Sequence, residues 1–72
     1  MTEDEITVLR MALENEGRIR WRAVFNIMGE SRSYRVLKQL QGAGALEHPA
    51  YNDWRITEKG RIAIALASVK RI

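Results

Sequence analysis

The chain has 72 residues, with twelve Lys and Arg against nine Asp and Glu, one histidine and no cysteine. That length supports one domain, spanning 1–72, and such a domain buries only about 60% of its unfolded surface. The absence of cysteine excludes a disulfide scaffold and a thiolate metal centre. The acidic start Glu3-Asp4-Glu5 is unlike a signal peptide, and no apolar run approaches a membrane span. A soluble cytoplasmic protein is expected.

Charge is distributed unevenly. Residues 1–17 carry five carboxylates against Arg10, net −4, whereas residues 18–72 carry eleven Lys and Arg against four carboxylates, net +7. Such an asymmetry is expected when one surface meets a polyanion and another faces solvent, although basic residues that simply solubilise a small domain give the same balance.

In chain order, Thr2 and Glu5 form a T-x-x-E capping box, and the spacing of Ile6, Leu9 and Leu13 predicts a helix that Gly17 stops. Its acidic face suits a scaffold element and would repel phosphate. Arg18 to Trp21 alternates polar and apolar, as a short half-buried strand does, with Ile19 and Trp21 inward. Ala23 to Met28 reads as a two-turn helix burying Val24, Ile27 and Met28, with Phe25 helping, and Gly29 breaks it. Ser31 is the expected N-cap of a third helix running to about Gly42. Two short helices meeting at a glycine turn form a helix-turn-helix arrangement.

Ala45 to Thr57 reads as a hairpin with Leu46, Trp54 and Ile56 inward and its turn near Asn52-Asp53. Pro49 cannot donate to a ladder and belongs on an edge or in the loop. Thr57 caps a last helix in which Ile62, Ala65, Leu66 and Val69 recur at helical spacing. The tail from Ala63 to Ile72 is apolar enough to pair with a second copy.

On the third helix, Ser33, Val36, Leu37 and Leu40 share one face, and Ser31, Arg35 and Lys38 lie opposite. Arg32 and Gln39 occupy one flank, Tyr34 the other. Arginine can chelate the O6/N7 edge of guanine and glutamine can pair with adenine, while lysine, tyrosine and serine meet phosphate oxygens. Arg18, Arg20, Arg22 and Arg55 are candidate positional contacts to the DNA backbone, and Tyr51 and Asn52 at the hairpin tip could reach it as well. Trp21 and Trp54 are read as packing residues rather than base-stacking ones. An exposed basic helix is also common on any soluble domain, so the order of elements, more than this helix alone, carries the reading.

Enzyme chemistry finds little support. His48 stands alone, helix capping accounts for the acidic cluster, and Gly42 and Gly44 lack the spacing of a phosphate-cradling loop. No metal, cofactor or small-molecule ligand is expected.

Leu37-x-x-Leu40-x-x-Ala43-Gly44-x-Leu46 and Ile56-Thr57-Glu58-Lys59-Gly60-Arg61 together resemble the winged helix-turn-helix domains of MarR-, ArsR- and PadR-like transcriptional regulators. The resemblance covers essentially the whole chain. It implies an α+β fold: a three-helix core, a small antiparallel β-sheet forming a wing, and a C-terminal helix. It also implies that Ser31 to Gln41 enters the major groove of double-stranded DNA, with Glu47 to Arg55 as the wing. The turn Gly29-Glu30-Ser31 is shorter than usual in that family, and Ser33 stands where a larger buried residue is common. Two other readings compete: a protein–protein interaction module binding an acidic partner, and a nucleic-acid binder without sequence preference.

Overall fold

The computed structural model describes residues 1–69, so Lys70, Arg71 and Ile72 of the apolar tail lie outside the described residues. Seven elements follow one another: α1 (Glu3–Glu14), β1 (Arg18–Ile19), α2 (Trp21–Met28), α3 (Glu30–Gly42), β2 (Leu46–Ala50), β3 (Asp53–Ile56) and α4 (Glu58–Val69). The three strands make one antiparallel sheet in the order β1-β3-β2. This is a small α+β architecture of four helices and three strands.

The expected capping box is present on α1. Thr2 Oγ1 accepts from the Glu5 amide at 3.2 Å, and Glu5 Oε1 accepts from the Thr2 amide at 2.9 Å. Three first-turn acids complement the positive end of the helix dipole. Val8, Leu9 and Ala12 on its inner face are fully buried against Val24, Val36, Leu37 and Leu40 of the helices and Ile19, Trp54 and Ile56 of the sheet.

Several expectations are corrected. Trp21 opens α2 rather than ending a strand, so β1 is only two residues long. Ile27 and Phe25 are exposed on α2, so Phe25 does not help its buried side, whereas Val24 is buried and Met28 packs partly against the core. An eight-residue helix has room for one inward stripe, and Val24 and Met28, four apart, occupy it. Ser31 does not cap α3. Gly29 takes that position with φ of 82°, a left-handed backbone that a Cβ would strain, and the helix begins at Glu30. Finally, Gly60 and Ile64 form the buried side of α4, leaving Ile62 (56% exposed), Ala65 and Leu66 (59% exposed) facing out.

Ser33 explains why the short α2–α3 turn holds. Its side chain is fully buried, with Oγ 2.6 Å from the Gly29 carbonyl and 3.1 Å from the Val24 carbonyl. A larger apolar residue would fill that space but could not tie the end of α2 to the start of α3. At its other end α3 closes in a Schellman arrangement: the Ala45 amide donates to Leu40 and the Gly44 amide to Gln41, with Gly44 at φ 80°.

The hairpin turns through Tyr51 and Asn52, pairing Ala50 with Asp53. Leu46, Trp54 and Ile56 point inward as expected, and Ile19 pairs with Trp54. Pro49 lies on β2, an outer strand of the sheet, next to a register shift between Glu47 and Ala50.

Candidate nucleic-acid interface

Because Val36, Leu37 and Leu40 are buried, the opposite side of α3 has to face solvent. Ser31, Arg35, Lys38 and Gln39 are all exposed there. Among the described residues neither Arg35 nor Lys38 makes an ion pair. Lys38 Nζ instead lies 5.5 Å from the centre of the Tyr34 ring, a position that leaves its charge outward.

The two flanks of α3 differ. On one, Arg32 is turned toward α1 and grips Asp4, its Nε at 2.7 Å from Oδ2 and its Nη2 paired with Oδ1. Hydrogen bonding from Arg32 holds the Asp4 carboxyl below its ordinary value; the charges of Arg32 and Arg35 act in the same sense, and desolvation opposes them. Arg32 is thus not a free cation but a brace between α1 and α3. On the other flank, Tyr34 meets Trp21 edge-on, with ring centres 6.5 Å apart, and borders the hairpin turn.

The remaining expected contacts fall into two groups. Arg20 and Arg22 bracket Trp21 at the start of α2, are exposed, and line an open cleft that Asn52 of the turn closes on its far side. Tyr51, 88% exposed, and Asn52 belong to the same region, next to Tyr34. Arg18 and Arg55 are elsewhere. They sit opposite each other across the β1–β3 pair, with Glu47 opposite Arg55 on the far strand, on the sheet face away from Trp54 and Ile56. Two facing arginines repel, and Asp53 offsets this by accepting from Arg55 Nε at 3.1 Å and Nη2 at 2.8 Å. Arg55 is therefore already neutralised on its own strand.

His48 holds the hairpin turn shut. His48 stacks on Trp54 at 3.8 Å and 10°, and its Nε2 lies 2.9 Å from the Tyr51 carbonyl. A carbonyl only accepts, so Nε2 carries the hydrogen and donates it across the turn.

Comparison with family models, curated proteins and solved structures finds no match to this chain. The interface has to be read from its own chemistry. Among the described residues no group of three or more His, Asp or Glu side chains converges on a metal position. Nor is any helix of those residues long and apolar enough to cross a membrane.

Sequence reasoning passed over two residues that shape this surface. Asp4 was read as a helix-capping charge, and nothing local announces a partner 28 positions away. Trp21 packs partly against the core, as expected, but its remaining surface lines the cleft, which the packing reading does not anticipate. Its position between two arginines was the available signal, since aromatic rings interleaved with basic residues suit nucleic acid.

Proposed function

We propose that this chain binds double-stranded DNA as a small winged helix-turn-helix protein, most simply a transcriptional regulator. In this reading α3 enters the major groove, which is about 12 Å wide and admits one helix. Arg35, Lys38 and Gln39 face base edges and phosphates, Ser31 meets the backbone, and the hairpin turn lies alongside. The observation that carries the reading is the exposed side of α3: Arg35 and Lys38, without ion-pair partners among the described residues, beside the exposed Gln39, on a helix whose other side is core. Arg20 and Arg22 extend the positive surface toward the turn. Arg32 and Arg55 contribute less, because Asp4 and Asp53 occupy them.

The exposed row Ile62, Ala65 and Leu66 on α4 supports a second copy as a partner, which would present two α3 helices to two half-sites. The competing reading, an interaction module for an acidic protein, would use the same exposed Arg35 and Lys38. A labelled duplex of mixed sequence, titrated at two salt concentrations with and without competitor, separates them. Duplex binding that weakens steeply with salt and is lost in an Arg35→Ala, Lys38→Ala double variant supports the proposal. Folded protein that ignores duplex at low salt overturns it in favour of the protein partner. Equal loss to any competitor removes sequence preference from the reading.

A further inference from the structure

The cleft between the start of α2 and the hairpin turn combines chemistry that a fully paired duplex does not need. Its volume is about 910 Å³, within the range of roughly 300–1,000 Å³ typical of ligand sites. Trp21 and Phe25 supply rings, 6.2 Å apart and tilted by 59°, and Phe25 is 39% exposed despite its size. Arg20 and Arg22 supply charge, and neither makes an ion pair among the described residues. Asn26 and Asn52 supply amides, each with a donor and an acceptor. Among the described residues no carboxylate lines this cleft; Glu30 lines one adjoining cleft, and Glu16 and Asp53, the latter engaged by Arg55, line another that shares Arg20 and Asn52.

In a paired duplex the ring faces of the bases are buried against one another, so a tryptophan at the protein surface has nothing to stack on. An unpaired base offers its ring face, its hydrogen-bonding edge and a phosphate together. Aromatic side chains set in a positive groove are the usual means of holding such a strand. Trp21 is well prepared for this, because the core packs against one part of it while Tyr34 and Phe25 fix its tilt. We propose that this cleft seats unpaired nucleotides of DNA, with bases against Trp21 and Phe25, base edges at Asn26 and Asn52, and phosphates at Arg20 and Arg22. DNA is the source because Tyr34, on α3, borders the adjoining cleft that shares Trp21 and Asn52. A strand leaving a duplex on α3 would run directly into it. That continuity rests on the duplex reading; the cleft's affinity for an unpaired strand does not.

The test measures anisotropy of four labelled probes on the whole chain: a short oligothymidine, the matching oligouridine, a blunt duplex, and that duplex with an oligothymidine overhang. Oligothymidine should bind and quench indole fluorescence, and the quench should persist in Trp54→Phe, which leaves Trp21 as the only indole. The overhang should tighten duplex binding. Phe25→Ala should weaken oligothymidine binding about tenfold, the loss expected for one stacked base, and leave the blunt duplex unchanged. Arg35→Ala with Lys38→Ala should do the reverse. Failure of the native chain to bind the blunt duplex, with oligothymidine still bound, would sink the duplex reading alone. Four outcomes overturn this inference: no oligothymidine binding by folded protein, no effect of Phe25→Ala, equal competition by polyglutamate, or tighter binding of oligouridine.

Discussion

On the proposed duplex-binding reading, Asp4→Asn should strengthen the interaction. In the native chain the Asp4 carboxylate fills the fork of Arg32 and lies close enough to Arg35 for each charge to act on the other. An asparagine of the same shape removes the negative charge and frees Arg32 for a phosphate. Each phosphate neutralised steepens the dependence of log K on log salt by about 0.9. One released arginine should therefore move the slope by about one unit. The same coefficient makes that contact worth about eightfold in affinity at about 0.1 M salt, and three- to fourfold of this disappears between about 50 and about 200 mM. Anisotropy titrations of one duplex across that salt range, for native chain and variant, read both quantities. Circular dichroism checks that α1 survives the loss of one of its three first-turn acids. An unchanged slope, or weaker binding by a folded variant, would refute the reasoning and make Asp4 a support that aims Arg32 rather than a competitor for it.

Other outcomes follow from the same structure. Gly60→Ala would place a Cβ against the Ala45 carbonyl oxygen and 2.8 Å from Ile56 Cγ1, pushing α4 off the sheet and breaking the bonds from Thr57 to the Gly44 and Ala45 carbonyls. Overpacking and two lost hydrogen bonds cost about 3–5 kcal/mol, so thermal melting should fall by at least about 12 °C; a shift of a few degrees would contradict the close approach. Ser33→Ala should cost about 1 kcal/mol, visible in urea denaturation as a lower midpoint at unchanged slope, and should weaken duplex binding if the α2–α3 turn loosens. In acid, the pairing of Asp4 with Arg32 contributes fully above the ordinary carboxyl value of 3.8 and is lost as pH falls through the lower folded value. Carboxyl chemical shifts followed by NMR should show Asp4 titrating below its ordinary value, and replacing Arg32 with Ala should move it back up.

Local patterns made most of the architecture legible. The capping box placed the start of α1, and the run of Val36, Leu37 and Leu40 identified the buried side of α3. Alternation of Trp54 with Arg55 gave the facing of β3. Where the pattern admitted two answers, packing decided. The alternating Ile-Ala-Ile-Ala-Leu of α4 offers apolar residues on several sides, and only the approach of Gly60 to the Ala45 backbone selects Ile64 as the inward one. Trp21 could begin a helix or end a strand, and the Arg20 carbonyl settles this by accepting from the Ala23 and Val24 amides. The surface was harder still. That Arg35 stays free while Arg32 and Arg55 are engaged depends on which carboxylate the fold brings alongside. For Arg32 that carboxylate belongs to another helix.

The sheet also bears on behaviour at high concentration. Its two outer strands are β1 and β2. The first is too short to template a neighbour, and the second interrupts its hydrogen-bonding rim with Pro49 and a slipped register. Open rims of this kind otherwise recruit strands from other molecules and seed aggregates. Copies packed closely together are thus kept from joining edge to edge, and the helical side of the molecule is left for any self-association.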